Sequence, residues 1–187
     1  MPYQQRTPRR IRRHVITYSD VCRANDATIR ELDHLGFWSK RLDKVEVYWT
    51  RTSLTYYGWY EGHIHIPAIS GAHLSDYFHG RHMRLADILR HEWAHAVADK
   101  CPELIDTRRF VREFGAAYEF DGQLRDPDPD HHVTAYASTM PCEDFAEVFH
   151  FYLRHKGRLP VRFGNKPKIV RKWAFIQWMA ERISRAA

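Results

Sequence analysis

The sequence predicts an α+β protein in which a leading helix and a small β-sheet are followed by a helical subdomain. Three observations lead there. Hydrophobic residues alternate between residues 45 and 67, then recur at helical spacing from residue 84 onward. No strand-like run follows residue 67, so there is no βαβ alternation, and no Gly-rich phosphate loop opens a helix. The chain has 187 residues, 44% of them hydrophobic and 28% charged, which is an ordinary globular composition long enough to bury one core.

Residues 1–14 read as a basic arm and residues 15–187 as one domain. Arg6, Arg9, Arg10, Arg12 and Arg13 carry most of the net charge of +6, and no acid precedes Asp20. The arm is expected to be a solvated, disordered terminus, the alternative being a dock for nucleic acid or another acidic partner. No secretory signal peptide is visible, and the location is left open between the cytoplasm and export by a non-Sec route. No apolar run approaches the length of a membrane span. Cys22, Cys101 and Cys142 are too few and too odd in number for a disulfide scaffold.

The first helix is expected with Asn25 or Asp26 as N-cap and Gly36 as its stop. Val45, Val47 and Trp49 alternate with polar residues, Leu54 to Tyr60 is aromatic and β-branched, and Gly62 to Ile66 alternates again before Pro67. Glu61-Gly62 reads as a turn, so these runs predict a small sheet joined by short turns. Residues 68–83 form a loop with His73, His79 and His82, read as a His-rich loop rather than a second ion site. Helical spacing covers residues 84–99, 106–118, 142–155 and 168–184. Between them, Asp126-Pro127-Asp128-Pro129-Asp130 excludes both helix and central strand.

Chemistry concentrates in His91-Glu92-x-x-His95, which lies within the second predicted helix. At about 100° per residue, His91 and His95 share one face and their ring nitrogens can converge on one ion. Glu92 points elsewhere and can hold a water as general base. Leu85, Leu89, Trp93 and Ala96 fill the opposite face. In a chain with 13 His the motif has a chance of roughly 5% of arising at random, so its placement on a correctly phased helix adds to its weight. Two His leave zinc, Zn2+, one protein ligand short of a catalytic site. Glu143 and Glu147 lie one turn apart on the next candidate helix and offer one ligand plus one acceptor for a ligand His. An exposed acidic helix start is the plain alternative. Asp99, one turn past His95, can orient a ligand His or simply lie on the surface. His63 and His65 share a strand face read as exposed and polar, and His150 lies near the Glu143 face.

The segments His91-Glu92-x-x-His95-Ala96-Val97-x-Asp99 and Tyr136-Ala137-x5-Glu143-Asp144-Phe145-Ala146-Glu147-Val148-Phe149 resemble the catalytic domain of anthrax lethal factor and its relatives. These are zinc metallopeptidases of the gluzincin type. The resemblance runs over roughly residues 84–180, through Asn165-Lys166-Pro167 into Trp173-Ala174-Phe175-Ile176. It implies a zincin-like fold, with His91, His95 and Glu143 as zinc ligands and Glu147 supporting one of them. It implies Glu92 as general base, Tyr136 facing the oxyanion, and a peptide or protein as substrate. With the alternating pattern and Pro67, it further implies that Gly62, His63, Ile64, His65 and Ile66 form the sheet edge on which an extended peptide pairs. Nothing in the chain matches the toxin's large delivery and substrate-binding domains. Two other readings stand beside this one. A silent zinc-fold scaffold would act through its Arg-rich arm, but would need neither Glu92 nor Tyr136. A DNA-associated zinc protease would use both; the SprT-like proteins have that logic, but take a His as third ligand.

Overall fold

The computed structural model describes residues 15–50, 57–70, 84–122 and 126–186. The basic arm, residues 51–56, which include the start of the Leu54 to Tyr60 run, and His73, His79 and His82 lie outside the described residues. The architecture is mixed α+β and helix-rich. Helix α1 spans Tyr18–His34, eight residues longer at its start than the sequence suggests. Its cap is Thr17: the Asp20 N–H donates to Thr17 Oγ1 at 3.2 Å, and the Thr17 N–H donates back to Asp20 Oδ2 at 3.0 Å. Asn25 does not cap but accepts from Trp93 Nε1 at 2.8 Å. The stop at Gly36 is as expected: its φ is +83°, and a Cβ there would meet Ser184 Cβ at 3.3 Å.

The strands are β1 (Val47–Thr50), β2 (Gly58–Tyr60) and β3 (His63–Pro67). Glu61 and Gly62, with φ of 48° and 82°, make the tight two-residue turn that joins β2 to β3. The sheet order is β1-β3-β2, with β1 parallel and β2 antiparallel to β3. The expected edge strand, Gly62 to Ile66, is therefore central and paired on both sides. Alternation reports which face of a strand is buried, and Ile64 and Ile66 are indeed fully buried. It does not report which neighbours the strand takes. Here β2 folds back onto the far side of β3 and becomes one edge among the described residues, with β1 at the other.

The helical part contains α2 (Leu85–Lys100), α3 (Pro102–Ile105), α4 (Arg108–Phe114), α5 (Pro141–Arg154) and α6 (Pro167–Ala186). The helix expected over 106–118 is shorter, because Gly115 at φ +94° ends α4. The Asp-Pro-rich loop before α5 is irregular, as its prolines require. Helix α2 packs along α5 on one side and against β2 and β3 on the other. Phe110, Phe145, Phe149 and Phe175 are fully buried around α5, each contributing about 1.5–3 kcal/mol by leaving water.

Because α5 is buried on nearly every face, its acids are buried too. Glu143, Asp144 and Glu147 are 9%, 0% and 1% exposed, which overturns an exposed acidic helix start. Buried charges require partners. Asp144 finds the ammonium of Lys172, itself 3% exposed; Glu143 and Glu147 find the imidazoles of α2. No described helix is long and apolar enough to cross a membrane.

Candidate metal centre

Helix α2 presents His91 and His95 towards α5, and α5 presents Glu143 and Glu147 back. His91 Nε2 lies 3.2 Å from His95 Nε2 and 3.0 Å from Glu143 Oε2; His95 Nε2 lies 3.8 Å from the same oxygen. Ligand atoms held tetrahedrally about 2 Å from one ion stand about 3.3 Å apart, so the triangle has the size of a metal site. Among the described residues these three form the cluster able to hold an ion.

The chemistry of the donors fits as well. Glu147 Oε1 lies 3.2 Å from His91 Nδ1. A carboxylate only accepts, so Nδ1 carries the proton and Nε2 keeps its lone pair for the cluster. His95 Nδ1 lies 2.7 Å from the Tyr118 hydroxyl, which as a donor or an acceptor holds the ring with Nε2 towards the cluster. Glu143 Oε2 is buried without a well-aligned hydrogen bond, although an imidazole nitrogen is at contact distance. Two imidazole nitrogens and a carboxylate oxygen that converge in this way form a donor set that could hold a cation.

The electrostatics say the same. Burial opposes the charged form of His91, yet Glu143 and Glu147 outweigh it and hold its pKa well above the usual value. Burial pushes Glu143 up, but the two imidazoles outweigh it and hold the carboxyl below the usual range. The cluster thus favours positive charge at its centre, whether as a proton or as a cation.

Glu147 is anchored twice, since its other oxygen accepts from the Thr134 hydroxyl at 2.6 Å. The same hydroxyl accepts the Ala137 N–H at 3.3 Å. Ala137 belongs to the 3₁₀ turn Tyr136–Ser138, so one threonine ties the Tyr136 turn to the support of His91. The Tyr136 ring centroid lies 5.9 Å from that of His91. Burial, then the charge of Glu143, raises the Tyr136 pKa and keeps its phenol protonated.

His91, His95, Glu143, Tyr118 and Tyr136 line a cleft of about 660 Å³. Glu92 lies in its wall, 4% exposed, with its pKa raised chiefly by burial. Its Oε2 accepts the Trp59 N–H at 2.7 Å. Tyr57, Gly58 and Trp59 form the sheet side of the cleft, whereas Gly62, His63, Ile64, His65 and Ile66 do not line it. His63 and His65 face away in an aromatic cluster with Tyr48, both at 5.2 Å between centroids.

Of the two readings of Asp99, its position matches the surface one rather than support of a ligand His. Asp99 lines the cleft but pairs with Lys100 at 2.9 Å, half-exposed, and Tyr118 takes the place beside His95. His150 turns away from the cluster and lies 3.3 Å from the buried Asp87. The cysteines are unpaired. Cys142 lines the cleft, but burial pushes its pKa up to about 12, so it stays a thiol.

Tyr118, Thr134 and the Gly58-Trp59 backbone escaped the sequence reading. Each reaches the site through tertiary contact, and none stands at a recognisable spacing from the motif. Neither protein families, curated proteins nor solved structures offer a match to the chain.

Proposed function

We propose that the chain is a zincin-like, zinc-dependent peptidase that hydrolyses peptide bonds in proteins or peptides. The observation that carries this reading is the convergence of two Nε2 atoms and one carboxylate oxygen at 3.0–3.8 Å beside Glu92 in an open cleft. Zinc suits two imidazoles and one carboxylate with a fourth position left free. His91, His95 and Glu143 would hold it. Bound there, the ion supplies Lewis acidity towards the scissile carbonyl and towards water.

The chain's own residues do the rest. Glu147 accepts the Nδ1–H of His91 and so fixes its tautomer, and Tyr118 orients the ring of His95. Glu92 accepts the proton of the attacking water and passes it to the leaving nitrogen; its burial makes it a better base than a solvated glutamate. Tyr136, kept protonated, donates to the developing oxyanion.

Metal analysis combined with a broad peptide-library digest tests this. Wild type and Glu92→Gln are each expected to hold one zinc per chain, with cleavage by the wild type alone. The amide keeps the shape and cannot take the proton. Equal turnover by both, with zinc bound, would favour the scaffold reading.

A further inference from the structure

The general base is tied to the sheet by a feature that its motif does not contain. Gly58 opens the edge strand β2 in register with His65 and has φ +84°, a left-handed conformation that side chains disfavour. A Cβ built on it would stand 2.9 Å from Glu92 Oε2 and 3.2 Å from both Glu92 Cδ and Oε1. The next residue, Trp59, gives its N–H to that same Oε2 at 2.7 Å. The carboxylate is therefore held by one peptide group and allowed its place by the missing side chain of the residue before it. Glu92 is 4% exposed, so its carboxylate can yield to a side chain at residue 58 only by giving up the Trp59 N–H and moving into the cleft.

We infer that Gly58 is a positioning residue for Glu92, acting with the Trp59 N–H to set where the base carboxylate stands beside His91 and His95. The inference rests on the peptidase reading for its catalytic consequence, but not for its physical content. Two reasons for glycine coincide here and make different demands. The backbone conformation penalises any side chain whatever lies opposite. The contact penalises it only while the Glu92 carboxylate is present.

The test is Gly58→Ala in the wild-type and Glu92→Ala backgrounds of the full chain. In the wild-type background, zinc content is expected to stay at one per chain, because Glu92 is not a ligand. The kcat should fall about 100-fold, the usual cost of displacing a reacting group by about 1 Å, with KM within about threefold. Thermal unfolding separates the two demands. The loss of Tm caused by Gly58→Ala should be clearly smaller when Glu92 is already alanine, because only the backbone strain then remains. Equal Tm losses in the two backgrounds, or an unchanged kcat in an active enzyme, overturn the inference. A wild type that holds zinc and cleaves no peptide overturns the peptidase reading instead, and the Tm comparison still decides the role of Gly58.

Discussion

The two walls of the cleft are built on different principles. On one side, α2 and α5 supply His91, His95, Glu143 and Glu147 from rigid, buried helices. There, helical spacing places chemistry one turn apart. On the other side, the three-residue edge strand β2 supplies a main-chain N–H and a vacancy where a side chain would be. On the proposed reading, the helical wall would decide whether a cation is held and the sheet wall where Glu92 stands. Changes in the first should therefore move metal content, and changes in the second should move turnover at constant metal content.

The largest expected effect comes from the helical wall. His95→Ala removes one of three candidate ligands and leaves Glu143 facing a gap. Metal content should fall to background on dialysis and peptide turnover with it, while far-UV circular dichroism stays that of the wild type. Metal retained at one per chain would break the division between the walls. Glu147→Gln should have an intermediate effect. It keeps the volume but weakens the acceptor for His91 Nδ1, 3.2 Å away, so zinc affinity measured by competitive chelation should drop about 10–100-fold. Gly58→Ala, by contrast, should leave that affinity alone.

The helical wall was legible in sequence because its information is local. His91 and His95, and likewise Glu143 and Glu147, are four residues apart, and the apolar residues behind them phase each helix. The sheet wall was not. Residues 45–67 gave the strands and the Glu61-Gly62 turn, but pairing β3 between β1 and β2 depends on contacts that alternation cannot encode. The long start of α1 was hidden because Thr17-x-x-Asp20 precedes a polar stretch, and Asn25 looked like a cap while its side chain was needed by Trp93. Tyr118 supports His95 across 23 residues of chain, a separation at which spacing carries no signal.

Behind the helical wall lies a smaller, pH-dependent contribution. Asp87 is buried on α2. Burial raises its pKa, but His150, Arg154 and Arg90 outweigh it and leave the carboxyl at about 2. The folded pKa is thus below the unfolded value, so the stabilisation is present above about pH 4 and is lost as the pH falls through about 2. Asp87→Asn should cost about 2 kcal/mol at pH 7, and the gap from wild type should close over that acid window in urea titrations at a series of pH values. A gap that stays constant down to pH 2 would show that the network acts through packing rather than charge.

The smallest effect on turnover is expected from deleting residues 1–14. The retained chain keeps its anchors: the Ile16 N–H donates to the Ile69 carbonyl at 3.0 Å, the Ile16 carbonyl accepts from Trp49 Nε1 at 3.0 Å, and Val15 bridges to Ser70. Those contacts tie the start of the domain to β1 and to the chain just after β3, and they touch neither wall of the cleft. Zinc content and kcat on short peptides should therefore stay within about twofold of wild type, a change at the level of surface perturbations. The deletion also removes Arg6, Arg9, Arg10, Arg12 and Arg13 and no acid. Any affinity for nucleic acid should fall, with a weaker dependence on salt, because fewer counterions are released on binding. A kcat that drops with the arm, at full zinc occupancy, would mean that the arm contributes to the site and that two walls are not the whole of it.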